Sequence, residues 1–478
     1  MDMLRAAFDA ETFRTQGHRL IEQLADYLGR ATRGEPLPVL PWVEPSASLS
    51  AWPADFPAAP SAGASEMLAR VVAGSNHLHH PRYVGHQVTA PLPLAALCEL
   101  VGTLLNNGTA VYEMGPVSTP MERALTRWMA SLLGFGTDAD GIFTSGGSIG
   151  NLTALLAARQ AKAGFDVWMQ GAAAGPPLAV LASEQTHYCV QRAVQIMGWG
   201  HDGVVSVPVD ARFRLRADAL GDARRAAERR GRRVIAVVAS AGSTATGAFD
   251  PLDAVADFCA RHDLWLHVDG AHGASAALSA RHRHLLAGIE RADSVVWDAH
   301  KMLLMPALIT AVLFRDGRRS YESFAQEASY LFAEGQPAEQ QWFNGGVRTL
   351  ECTKRMMAMT LYVALSTYGT QLFADYIAGT FDLAQRFAAR LGAAPDFELA
   401  VEPQCNIVCF RHTPPGAGDL DALQERIRQR ILAAGSFYLV QTRLPAGIFL
   451  RTTLINPLTR DGDLDALLEA IRGAGREI

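Results

Sequence analysis

From about Ser65 to Phe314, short β-rich runs alternate with longer helical stretches, and this alternation constrains the fold more than any other feature. It predicts strands near 179–182, 204–207, 234–239, 264–268, 294–297 and 308–314, with helical segments at 217–230 and 250–262. Strands separated by helices pair in parallel through crossovers, and the helices cover the faces of the sheet. The expected class is therefore α/β with a mainly parallel sheet, whose ligands collect at the carboxyl ends of the strands. Residues 12 to 30 have helical periodicity (Phe13, Leu20, Ile21, Leu24, Tyr27, Leu28), and a stretch rich in proline, serine and alanine follows from Gly34 to Ala64. A helical region spans about 349 to 393, and the last hundred residues mix strands (405–410, 447–454) with helices (418–433, 462–473). The pattern divides into an amino-terminal arm and connection (1–64), a large domain (65–370) and a small α+β domain (371–478).

The chain has 478 residues, 49% apolar and 19% charged, and a net charge of -5, with its arginines interleaved among acids. Such a balance offers no general attraction for nucleic acid or an anionic membrane and favours a small-molecule partner. The amino terminus carries Asp2, Asp9 and Glu11, and the apolar run at 302–314 is short and contains Pro306, so neither an export signal nor a membrane span is expected. Six cysteines are scattered without metal or redox spacing, which suits reduced thiols in a cytoplasm. The histidines between His77 and His80 fit no zinc pattern, and no metal is expected.

Only three lysines stand against forty arginines, and Lys301 lies inside the hydrophobic run S-V-V-W-D-A-H-K-M-L-L-M-P. A desolvated lysine can become a neutral nucleophile toward a carbonyl, which arginine cannot. The competing reading is a lysine whose stem packs while its head reaches water. Asp269 ends the apolar strand L-W-L-H-V-D, at the sheet end where Lys301 should emerge. A pyridine aldehyde held by Lys301 needs such a carboxylate at its ring nitrogen; alone, Asp269 reads equally well as a strand-end cap. In I-F-T-S-G-G-S-I-G-N-L, a short strand gives way to a turn at Gly146, Gly147 and Ser148 and then to a helix, a combination that cradles an anionic phosphate. The same Gly146-x-Ser148-x-Gly150 also matches the nucleophile elbow of a serine hydrolase, with Asp269 and His300 following in the required order. That alternative leaves Lys301 and the paired glycines without a role.

Taken together, S-G-G-S-I-G-N-L, S-E-Q-T-H-Y, H-V-D-G-A-H-G and D-A-H-K-M resemble the pyridoxal-phosphate-dependent group II amino acid decarboxylases, and the likeness runs from about His79 to the carboxyl terminus. The resemblance implies a fold type I homodimer with active sites at the subunit interface and pyridoxal 5'-phosphate bound to Lys301. It also implies Asp269 at the pyridine nitrogen, His187 stacked on the ring, and His300, Thr244 and Ala271 lining the cofactor. Arg451, in F-L-R-T-T-L-I-N-P, resembles an arginine that engages a substrate carboxylate, and His86 and Gln87 fall on the pocket-lining segment. Those two residues replace the aromatic side chains of relatives with aromatic substrates, favouring a polar or charged substrate. Tyr112 and Glu113 sit nearest the glutamate-type pattern.

The chain departs from the family twice. Asp298 stands where relatives often carry asparagine, which sets it apart from the expected cofactor contacts. Between Tyr330 and Trp342 there is no tyrosine, although such decarboxylases usually protonate the α-carbon with one on this loop. His187, His300, Tyr330 or a group from the partner subunit is then the proton donor. The alternative outcome is oxidative decarboxylation-deamination to an aldehyde.

Overall fold

The computed structural model describes residues 2–52, 54–56, 58–59, 63–324, 340 and 342–477. By contact the chain divides into two compact units, one of residues 87–388 with 401–408, the other of 1–86, 389–400 and 409–478. The larger unit holds a seven-stranded sheet: β1 (Asp140–Thr144), β2 (Leu178–Ser183), β3 (Val204–Val207), β4 (Arg233–Ser240), β5 (Trp265–Asp269), β6 (Ser294–Asp298) and β7 (Thr310–Phe314). Their spatial order is β1-β7-β6-β5-β4-β2-β3. Only β7 runs against its neighbours, pairing antiparallel with β1 and β6, while all other adjacent pairs are parallel. Each predicted strand is present within about three residues of its expected ends.

The central strands are buried on both faces, which explains why they read as continuous apolar runs rather than alternating ones. The helix Gly147–Lys162 packs Leu152, Leu155 and a row of alanines against Val180, Val238, Val296 and Val312. Gly150 permits that approach: a methyl group there would meet methyls of Thr310, Val312 and Val296 at 3.1, 3.2 and 3.3 Å.

The parallel register brings the carboxyl ends of the strands to one edge. Ser240 pairs with Asp269 across β4 and β5, Asp269 with Val296 across β5 and β6, and Asp298 with Thr310 across β6 and β7. The motifs at Gly146–Ser148, His187, Thr244, Asp269 and Lys301 each follow a strand end at that edge.

The helix expected from about 349 instead runs Met357–Ala393 and breaks at Gly369, whose φ of 72° and ψ of 162° are non-helical. The start is delayed because Lys354 turns inward, donating to Glu122 at 2.8 Å and to the Phe143 carbonyl at 2.7 Å. That irregular segment is thereby tied to β1. A second, four-stranded sheet comprises β8 (Phe397–Leu399), β9 (Ile407–His412), β10 (Val440–Leu444) and β11 (Gly447–Thr453), in the order β10-β11-β9-β8. The helices Leu420–Ala434 and Asp461–Arg476 accompany it.

Candidate active site

A cavity of about 290 Å³ opens at the carboxyl ends of the strands, lined by Gly146, Gly147, Ser148, His187, Thr244, Asp269, Ala271, His300 and Lys301. All nine residues assigned to the cofactor from sequence thus share one site. They come from five pieces of chain that have just left the sheet: the turn after β1, the segment after β2, the loop after β4, and the ends of β5 and β6.

Lys301 sits in a four-residue helix, Ala299–Met302, directly after β6. Its Nζ lies 3.1 Å from Oδ2 of Asp298, and its side chain is 19% exposed. Burial opposes its charge, but the carboxylates of Asp298 and Asp269 outweigh that effect and hold the ammonium above the ordinary lysine range. In the cofactor-free chain the amine is therefore kept charged. Neutralisation by desolvation, the sequence argument, is reversed by two neighbouring acids.

Gly146 adopts φ 117° and ψ 155°, a conformation closed to side-chain-bearing residues. It starts the helix Gly147–Lys162 with its free N–H groups toward the cavity edge, and Ser148 is exposed there. Asn151 locks this first turn by donating to the Gly147 carbonyl at 2.8 Å, while its Oδ1 meets Nε2 of His267 at 2.8 Å. Nδ1 of His267 lies 2.9 Å from Ser294 Oγ, which also accepts from Trp265 Nε1 at 2.8 Å. This chain of contacts fixes the helix start to the sheet.

His187 caps the helix Tyr188–Ile196, its Nδ1 accepting from the Cys189 amide at 3.3 Å. Burial lowers its pKa; Asp269 works against this and Lys301 adds to it, so the ring is neutral at neutral pH. Asp269 accepts from the Ala271 amide at 3.2 Å. Nδ1 of His300 lies 3.0 Å from the Ile309 carbonyl oxygen, and its Nε2 lies 3.5 Å from Asp298. The acid beside His300 is therefore Asp298 and not Asp269, so the serine-hydrolase arrangement finds no geometric support.

Arg451 and His86 belong to the smaller unit. Arg451, on β11, is 6% exposed. Burial depresses its pKa, while Cys409, Tyr438 and Tyr83 act in the opposite direction. The His86 ring lies 5.7 Å from that of Tyr438, and burial followed by the charges of Arg451 and Arg428 lowers its pKa. Gln87 is buried in the larger unit but does not line the cavity. Tyr330 and the rest of its loop up to Gln341, except Gln340, lie outside the described residues.

The site also contains groups that sequence reasoning did not single out. Ser145 donates through Oγ to Glu351 at 2.5 Å. Asn151, Cys189, Ser240, Ser243 and His272 line the same cavity. Asp298 was noticed only as a departure, although its i,i+3 spacing to Lys301 across a helical turn signals a contact.

These residues fit pyridoxal phosphate: a carbonyl-reactive amine, an anion-binding turn that a side chain at Gly147 would fill, a carboxylate and a flat neutral imidazole share one cavity. The family model for the pyridoxal-dependent decarboxylase conserved domain matches residues 54–413. Human (Homo sapiens) cysteine sulfinic acid decarboxylase is 33% identical over 411 residues, covering 84% of this chain and 83% of its own. An aromatic-L-amino-acid decarboxylase of Bacillus atrophaeus is 30% identical over 405 residues, covering 84% and 82%. The crystal structure of mouse CSAD superposes with a TM-score of 0.90 at 28% identity over 98% of this chain and all of that one. A cavity built for a carbonyl-linked, phosphate-bearing cofactor and a family match over three quarters of the sequence agree: the chain belongs to the pyridoxal-phosphate-dependent amino acid decarboxylases.

Proposed function

We propose that the chain removes the α-carboxylate of an amino acid with a polar or charged side chain, releasing carbon dioxide and the amine. The observation that carries this reading is the junction of Lys301, Asp269, His187 and the Gly146–Ser148 turn around one cavity. Lys301 would hold the cofactor covalently and Gly146, Gly147 and Ser148 its phosphate, with Thr244, Ala271 and His300 completing the walls. Asp269 would hold the proton on the ring nitrogen, and His187 would pack on the ring face. Bound pyridoxal phosphate supplies an electron sink for the pair left on the α-carbon.

On the substrate side the reading assigns Arg451, His86 and Gln87. A buried guanidinium flanked by Tyr83 and Tyr438 suits a carboxylate or sulfinate partner, and the sulfinic acid decarboxylase relative agrees in chemistry. With no tyrosine between Tyr330 and Trp342, the proton returned to the α-carbon would come from His187, once it has itself taken up a proton, from His300, from Tyr330 or from a group of the partner subunit. We also infer a cytoplasmic homodimer. Leu100, Val101, Leu104 and Leu105 are 48, 49, 67 and 56% exposed on the helix Pro93–Leu105, an apolar stripe that a second copy would cover.

The test is incubation with cysteine sulfinate, aspartate, glutamate, 2,4-diaminobutyrate, tyrosine and tryptophan, following carbon dioxide, amine, aldehyde and peroxide. The expected result is amine from one of the first four without peroxide. Turnover of tyrosine or tryptophan alone would overturn the substrate assignment, and peroxide in step with aldehyde would restore the oxidative outcome.

A further inference from the structure

Asp298 carries a charge to which the decarboxylase reading assigns no role. Its carboxylate is 2% exposed, accepts from Thr310 Oγ1 at 2.6 Å through Oδ1, and faces Lys301 Nζ at 3.1 Å through Oδ2. The anion-binding turn lies against it as well: a methyl group on Gly147 would come within 3.1 Å of Oδ2 and 3.2 Å of Oδ1. The cradle for a phosphate thus already borders a buried acid.

Two like charges in a desolvated site repel strongly, so phosphate and ionised Asp298 compete for the same positive surroundings. Those surroundings are sparse. Facing Asp298 are Lys301 and His300 from its own turn, Asp269 from the end of β5, and His187 and Cys189 from the segment after β2. Thr310 on β7 and Gly147 on its helix bring no charge. Among these residues Lys301 is the one lysine or arginine, and its nitrogen is committed when the cofactor attaches.

Resting on the pyridoxal phosphate reading, we propose that Asp298 accepts the proton that Lys301 gives up, so that attachment of the cofactor and neutralisation of its phosphate cradle are one event. Oδ2 takes a proton from the ammonium, converting a carboxylate and an ammonium into a carboxylic acid and an amine. The amine nitrogen then adds to the aldehyde carbon, a C=N bond forms, and the carbonyl oxygen departs as water with the two remaining nitrogen-bound protons. The neutral carboxyl of Asp298 no longer repels the phosphate and turns its O–H into a donor at the cradle. Asp298 is in this sense a loading residue, acting through Lys301 and the turn.

The experiment uses the full chain freed of cofactor with hydroxylamine, as wild type and as Asp298→Asn. Inorganic phosphate is titrated calorimetrically at about pH 8, and the variant should bind it at least about tenfold more tightly because a fixed negative charge has gone. In parallel, pyridoxal lacking the phosphate is trapped with borohydride between about pH 7 and 11, and half-maximal labelling should move to lower pH in the variant. Equal phosphate affinity, or an unmoved labelling profile, overturns the proposal. Should Asp298→Asn fail to fold by circular dichroism, Asp298→Ser gives the same two readouts. Borohydride labelling of the wild type by pyridoxal phosphate separates the two claims. No label on Lys301 removes the pyridoxal reading itself, whereas label on Lys301 with equal phosphate affinities removes only the role of Asp298.

Discussion

At the scale of single residues, the cavity divides its carboxylates by position. Asp269 ends β5 and Asp298 ends β6, and both raise the pKa of Lys301, but only Asp298 is within 3.1 Å of its nitrogen. Asp269 is therefore available to a cofactor ring while Asp298 serves the lysine. Asp269→Asn should retain covalently bound cofactor and its visible absorbance yet lose about 10²- to 10³-fold in kcat, the scale of removing one preorganised charge; amine release at the wild-type rate would contradict the assignment. Lys301, Asp269, His187 and the glycine turn were legible in the sequence because each sits where a strand ends, within a short motif. Glu351 was not, since its bond to Ser145 spans 206 residues and no local pattern announces it.

At the scale of elements, the helix Gly147–Lys162 is the piece on which the proposed phosphate cradle rests. Its start is aimed by Gly146, locked by Asn151 and His267, and pressed on the sheet at Gly150. Gly150→Ala would push β-branched side chains of β6 and β7, fixed by the sheet, by a few tenths of an ångström. The expected cost is about 1–3 kcal/mol, read from the denaturant midpoint, together with weaker cofactor retention. An unchanged midpoint would show that the helix is free to shift. The strands of the large sheet were legible because both faces are buried and their apolar runs are unbroken. The 357 start of the long helix was not, because an inward lysine reaching Glu122, 232 residues away, overrides local helical periodicity. The small strand Phe397–Leu399 is three residues long and only half-buried at two of them, too short a signal for pattern reading.

At the scale of the whole molecule, the amino-terminal segment groups with the carboxyl-terminal one, an association between distant stretches that local periodicity cannot register. The exposed stripe on Pro93–Leu105 leads to an association prediction: light scattering should give twice the mass of the chain, and Leu104→Arg should yield monomers with little activity. A wild-type monomer with full activity would contradict the homodimer. Stability carries its own pH signature. His267 is fully buried and its pKa is pushed down to about 4 from 6.5, mainly by burial. Its folded form resists a proton that the unfolded chain accepts, so its contribution to stability is intact above about pH 6.5 and is lost as pH falls toward 4, by about 3 kcal/mol. Denaturant unfolding from pH 7 to 4 should be steeper in pH for wild type than for His267→Gln, and parallel curves would refute the assignment.

The central claim is that Lys301 holds pyridoxal phosphate, and the scarcity of lysine makes it directly testable. With only Lys162, Lys301 and Lys354 in the chain, and Lys162 and Lys354 already paired with Asp263 and Glu122, borohydride reduction followed by peptide mass spectrometry has few places to find the cofactor. The reduced phosphopyridoxyl mass is expected on the peptide containing Lys301 alone, and is expected to vanish after Lys301→Ala. Label on Lys162 or Lys354, or none on a yellow and active protein, would contradict the claim.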